Sequence, residues 1–211
     1  MKYILCYGDS NTWGCTPEVF GRLEFNERWP GVMQNILGEG YHIYENALNG
    51  RTTVFEDYIE EGRCGKEGLP IALEITAPLD LVIIMLGTND LKLRFKMEPW
   101  DIGWGIDLLI QYIKKSGCGR NESSPQILVL SPIILGDNWD NTILGTVFDQ
   151  TCTEKSKKLS DIYKYICERN QCEFLDAGMH VVPSCDCVHL EFKEHQKLGE
   201  IVAARVKGIM G

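Results

Sequence analysis

The chain has 211 residues, of which 44% are hydrophobic and 24% charged, with a formal net charge of −9. That length suffices for one domain with a sizeable core. The acidic balance argues against nucleic acid or an anionic membrane as partner, because both call for a basic face.

The chain opens on a short apolar run, Lys2–Tyr7, that reads as a strand and leads straight into Gly8-Asp9-Ser10-Asn11. The run is too short, and too soon interrupted by polar residues, for a secretory signal, so a cytoplasmic location is expected. Trp29–Leu37 has helical patterning, and His42–Asn46 reads as a second strand, followed by Ala47-Leu48-Asn49-Gly50-Arg51-Thr52-Thr53. The acidic stretch Glu56–Glu61 and Asn46 read as solvated positions. A helix is expected over Leu69–Ala77. Leu81–Leu86 is a continuous apolar run of strand length, as expected of a central parallel strand covered on both faces. It is also the longest apolar run, far short of a membrane span.

Gly87-Thr88-Asn89-Asp90 follows that strand. Over Asp101–Lys115, the residues Ile102, Ile106, Leu109, Ile110 and Ile113 form one helical stripe. Ile127–Ser131 reads as a strand, Thr151–Asn170 as a helix and Glu173–Asp176 as a fifth strand. Asp186-Cys187-Val188-His189 then precedes a last helix over Phe192–Met210.

Strands alternating with helices predict an α/β fold: a three-layer α/β/α sandwich around a central parallel sheet of about five strands, one domain over residues 1–211. Ligands of such sheets bind at the carboxyl ends of the strands. All four polar clusters fall there.

Together those clusters supply the parts of an acyl-transfer site. The chemistry needs a nucleophile, a base to deprotonate it, and donors for the oxyanion. Ser10 is the candidate nucleophile and His189 the base, since a near-neutral imidazole can take the serine proton and return it. Asp186, three residues earlier, can reach the other ring nitrogen and set the tautomer. Candidate oxyanion donors are the Ser10 and Gly50 N–H groups and the Asn89 amide. Asp9 is expected to be structural, bonding the turn or the free N–H groups of a following helix. His42, His180 and His195 are read as surface or packing residues.

Other chemistries fit less well. The nine cysteines are odd in number, and a chain of this size has no need of a disulfide scaffold, so they are expected to be reduced. Cys185-x-Cys187-x-His189 lacks the spacing and second ligand pair of a zinc site, and neither metal nor cofactor is expected. No Gly-rich phosphate loop follows the first strand, and Asp9 would repel phosphate there. No Gly-x-Ser-x-Gly elbow surrounds Ser10.

Gly8-Asp9-Ser10, Gly87-Thr88-Asn89-Asp90 and Asp186-Cys187-Val188-His189 resemble, in order, the first, third and last blocks of the SGNH (GDSL-type) hydrolase family. The second block departs from the common Asn-x-Gly-x-x-Gly pattern: aligned on Gly50, Glu45 and Ala47 stand where Asn and the first Gly would fall. The wording around Asp9-Ser10-x-Thr12-Trp13-Gly14 and Gly50-Arg51-Thr52-Thr53 is closer to the arylesterase and acyltransferase branch. The resemblance implies a serine esterase for small carboxylic esters. Within the same chemistry, carbohydrate O-deacetylation and acyl transfer are alternatives. A catalytically silent binding module is the alternative of another class. A small-molecule or sugar ester is the expected partner, and the branch includes oligomers. Trp13, Phe95, Trp100, Trp104 and Trp139 are candidate pocket aromatics, with Trp13, Trp100 and Trp139 foremost.

Overall fold

A computed structural model describes residues 1–18 and 21–211. The chain begins with β1 (Lys2–Gly8), the single turn α1 (Ser10–Trp13), and the short strands β2 (Cys15–Thr16) and β3 (Gly21–Arg22). Then follow α2 (Trp29–Leu37), β4 (Tyr41–Ala47), α3 (Gly65–Thr76), β5 (Leu81–Met85) and α4 (Pro99–Lys115). It ends with β6 (Gln126–Leu130), α5 (Gln150–Asn170), β7 (Glu173–Leu175) and α6 (Phe192–Met210).

Five strands form one parallel sheet in the order β4-β1-β5-β6-β7, and β2 and β3 pair as a separate antiparallel hairpin. Side chains alternate between two cores, as the two-residue strand period requires. Ile4 and Cys6 of β1, with Leu81, Ile83 and Met85 of β5, pack against Trp29 and Met33 of α2 and Leu198 and Val202 of α6. Leu5 and Tyr7, with Val82 and Ile84, meet Leu69 of α3, Ile102 and Ile106 of α4 and Leu159 of α5. Every residue of β5 is buried, which is why its sequence shows no alternation. Burying each such aliphatic side chain contributes about 1.5–3 kcal/mol.

The strand order reverses at β1: the chain runs from β1 to β4 on one side, then crosses to β5 on the other. The carboxyl end of β1 therefore lies at the switch point where open α/β sheets form their crevice.

The five sheet strands and five long helices lie where the sequence places them, with α3 starting earlier than expected, at Gly65. The β2–β3 hairpin and α1 are not anticipated, since elements of two to four residues carry no readable period. The solvated reading of Glu56–Glu61 fails at Asp57, which is buried and paired with Arg94 and Lys92. It fails at Asn46 too, whose carbonyl and side chain both bond Arg51. All nine cysteines are free thiols, and no helix among the described residues is long and apolar enough to cross a membrane.

Candidate active site

The turn after β1 is built from its own polar residues. Asp9 caps α1, its Oδ1 accepting the Asn11 N–H at 3.0 Å, and Ser10 is the first residue of that turn. Gly8 is needed because a Cβ there would sit 2.0 Å from Thr12 Oγ1. Burial pushes the Asp9 carboxyl up to about 6, against the pull of the Asn11 N–H and the positive groups nearby.

The base arrives on a turn before α6. Asp186 Oδ1 accepts from the Ser184 hydroxyl and from the N–H groups of Val188 and His189, at 2.8, 3.0 and 2.8 Å. Its Oδ2 lies 2.6 Å from His189 Nδ1, and His189 Nε2 lies 3.0 Å from Ser10 Oγ. Cys187 adopts a left-handed conformation, φ +69°, which closes the turn between acid and base. Burial raises the Asp186 pKa, but the imidazole and backbone donors outweigh it and hold the group well below the usual carboxylate range. Burial likewise disfavours the His189 imidazolium, and the Asp186 carboxylate outweighs it, so the His189 pKa is raised. With Nδ1–H turned to Asp186, the Nε2 lone pair faces the serine hydroxyl.

Asn11 fastens this turn to the nucleophile. Its Nδ2 donates to the Val188 carbonyl and its Oδ1 accepts the Leu190 N–H, both at 3.0 Å. His189 sits between those two anchors.

The proposed oxyanion side is held just as closely. Gly50 has φ +78°, a conformation natural to glycine, and neither its N–H nor that of Ser10 has an acceptor among the described residues. Arg51 is buried, donating to the Gly8 carbonyl at 3.0 Å and the Asn46 carbonyl at 2.7 Å, with its guanidinium 4.2 Å from the Tyr7 ring centre. Asn89 Nδ2 donates to the Arg51 carbonyl at 3.1 Å and so ties its own segment to the one that carries Gly50. Asp90 is buried and accepts the Thr53 N–H at 3.0 Å and its hydroxyl at 2.5 Å. Burial raises the Asp90 carboxyl to about 6 against those donors.

Next to the triad is a cavity of about 480 Å³, whose lining includes Trp13, Cys15, Pro17, Asn49, Ile143, Leu144, Asp186 and His189. Trp13 is therefore at the pocket, its ring under the Arg22 guanidinium at 4.7 Å. Glu45, the departure in the second block, pairs with both Arg22 and Arg28 and so anchors that arrangement. The other two foremost aromatics are not at the pocket. Trp139 is buried, donates to Thr153 Oγ1 at 3.0 Å and stacks on Phe148. Trp100 lies on the outer face of α4 against Trp104 and Tyr165. Phe95 lines a separate cavity with Phe55 and Met97. His195 is fully buried, and desolvation lowers its pKa to about 3, which keeps it neutral.

Sequence reasoning missed Asn11, Arg51 and Asp90 as site-building residues. The available signal was position: each is a polar residue directly beside a reacting or donor residue, on a segment that must be buried. Such groups need partners.

A hydroxyl bonded to an imidazole that is oriented by a carboxylate defines a serine hydrolase site. The chain belongs to the GDSL-like lipase/acylhydrolase family, whose model matches residues 6–192. By family and site it is a serine-type carboxylic ester hydrolase. It is 32% identical to an aryl esterase of M. smegmatis, with a TM-score of 0.92 and 100% of both chains covered. A carbohydrate acetylesterase from Sinorhizobium meliloti is 35% identical, with a TM-score of 0.88 and the same coverage. An acetylxylan esterase of Xylanibacter ruminicola is 24% identical over 97% of this chain and 43% of its own length, so the chain spans less than half of that relative.

Proposed function

We propose that the chain hydrolyses short acyl esters, acetyl esters foremost, through an acyl-enzyme on Ser10. His189 takes the Ser10 proton as the oxygen attacks the ester carbonyl. Asp186 stabilises the imidazolium without itself becoming protonated. The carbonyl oxygen, now negative, is met by the Ser10 and Gly50 N–H groups and the Asn89 amide. His189 then gives the proton to the departing alcohol. Water, deprotonated by His189, releases the acid and restores Ser10.

One observation carries this reading: the continuous chain of bonds Ser10 Oγ–His189 Nε2 (3.0 Å) and His189 Nδ1–Asp186 Oδ2 (2.6 Å) beside a cavity of about 480 Å³. A cavity of that size suits a small ligand. The alcohol half of the ester is a sugar or an aryl group, and the aryl and carbohydrate ester hydrolases among the similar structures support both.

Ser10→Ala tests the assignment. Turnover of p-nitrophenyl acetate is expected to fall to the residual rate that binding and the oxyanion donors alone support. Wild-type turnover in that variant would overturn it, as would failure of a fluorophosphonate to label Ser10 in the folded wild type. Acetate release from acetylated xylan, measured beside it, separates sugar from aryl esters, and product analysis in added alcohol detects acyl transfer.

A further inference from the structure

One cluster of charges takes no part in the triad. After the Gly50 turn the chain makes a loop over residues 54–63, closed where the Thr52 N–H donates to the Arg63 carbonyl at 3.0 Å. Inside that loop Asp57 is buried, and its Oδ1 accepts the N–H groups of Ile59 and Glu60 at 3.1 and 3.2 Å. Its Oδ2 pairs with Arg94, and Lys92 Nζ lies 3.8 Å from it. Glu60 Oε1 accepts from the same two cations, Lys92 Nζ at 2.8 Å and the Arg94 guanidinium at 2.6 Å. Lys92 is itself buried, and its N–H donates to the Asn89 carbonyl at 3.2 Å. Two carboxylates of the loop after Gly50 are thus tied to two cations of the segment after Asn89.

The second Glu60 oxygen is turned to Gly50. Its Oε2 lies 2.6 Å from where a Cβ would stand on that glycine, with Arg63 Nε 3.3 Å from the same point. The end of a long side chain would ordinarily swing out of so close a contact, but here its other oxygen is gripped by two charge-assisted bonds.

That grip bears on how the Gly50 N–H is aimed. The Arg51 N–H donates to the Leu48 carbonyl at 3.1 Å, so residues 48–51 form a β-turn with Gly50, φ +78°, at its third position. Type I and type II turns share that bond and differ in which way the central peptide faces. Turning the Asn49–Gly50 peptide over would keep the turn bond, reverse the sign of the Gly50 φ, and aim the Asn49 carbonyl where the N–H now points. No acceptor among the described residues holds that N–H. A group packed against one side of the Gly50 Cα resists the rotation.

We propose that Glu60, clamped by Lys92 and Arg94, is a positioning residue that locks the Gly50 N–H toward the reacting carbonyl, given the oxyanion role of Gly50 and Asn89 on which this rests. It acts through Gly50 and not on the substrate. The same clamp ties the Gly50 donor to the segment that carries the Asn89 donor.

Turnover of p-nitrophenyl acetate and inhibition by phenyl trifluoromethyl ketone test this together. Ser10 Oγ adds to the ketone carbonyl carbon and gives its proton to His189, leaving an oxyanion on the ketone oxygen that the same donors must hold. Glu60→Ala empties the seat. Glu60→Asp keeps the charge but is one methylene too short to reach both the cations and Gly50. Each should lower kcat by roughly tenfold, less than the roughly 10²–10³-fold of a deleted donor. KM should stay within about twofold of wild type, and the inhibition constant of the ketone should rise by the factor by which kcat falls. Glu60→Gln keeps the length and an acceptor for the cations, and should recover kcat to within about threefold of wild type. Circular dichroism should match the wild type in all three. A wild-type kcat in Glu60→Ala, with Asn89→Ala impaired, overturns the proposal alone. A wild-type kcat in both overturns it together with the oxyanion reading. A loss confined to KM overturns it as well, as does a Glu60→Gln variant as impaired as Glu60→Asp, since charge rather than position would then be at work.

Discussion

Replacing Asn11 by alanine removes one small side chain and leaves two buried main-chain groups without partners. The Asn11 side chain donates to the Val188 carbonyl and accepts the Leu190 N–H, both at 3.0 Å, and the residue has no exposed surface. Each stranded group costs about 1–3 kcal/mol, so the pair costs about 2–6 kcal/mol. In a chain of this length that lowers the melting temperature by roughly 5–20 °C. Activity should fall as well, because His189 is held between the two anchors, and a displacement of about 1 Å at a reacting group can cost on the order of 10²-fold in turnover. The assay is thermal unfolding followed by circular dichroism, with p-nitrophenyl acetate kinetics on the same sample well below the transition. Ser10→Ala is the control that loses turnover while keeping its melting temperature. Asn11→Asp keeps the acceptor for Leu190 but turns a carboxylate oxygen toward the Val188 carbonyl, so it too should lose both stability and turnover. A melting temperature within about 2 °C of wild type, with turnover within roughly twofold, would refute the role assigned to Asn11.

Two further outcomes follow from the site. Asn89→Ala should lower kcat by about 10²–10³ with little change in KM, as the loss of one oxyanion donor does; a change confined to KM would place Asn89 in ground-state binding instead. Asp186→Asn bears on pH: Asp186 raises the His189 pKa, so removing its charge lowers that pKa. Since His189 must be neutral to act as base, the acid limb of kcat/KM moves to lower pH while the plateau falls by roughly 10⁴. A limb that stays in place or moves to higher pH would show that Asp186 does not set the imidazole.

Much of this was legible in the chain. Leu81–Leu86 announces a doubly covered strand, and the stripe from Ile102 to Ile113 announces a buried helix face, because burial of many side chains leaves a periodic record. The reacting residues were legible for a different reason: hydroxyl, imidazole and carboxylate have few roles when each follows a strand on one sheet edge. The supporting bonds leave no period. Arg51 reaches back to Gly8, and Asp90 to Thr53, through contacts set only by tertiary packing. The aromatics show the same limit from the other side. Trp13, Trp100 and Trp139 look alike in sequence, yet one lines the pocket, one is exposed on α4 and one is buried under Phe148. Which way such an aromatic turns is set by tertiary packing, not by its hydrophobicity.

Acid and base sit three residues apart on one turn, so they move together, while the nucleophile is 179 positions earlier in the chain. The site is thus completed at a single seam, where the 184–190 turn meets the first residue of α1, just past the end of β1. Long-range contacts of this kind form only after much of the chain has been organised. Ester hydrolysis therefore doubles as a probe of closure: an intact sheet with the 184–190 turn detached would keep its circular dichroism and yet be silent. A gap between loss of turnover and loss of helicity during gentle unfolding would measure the free energy of that seam directly.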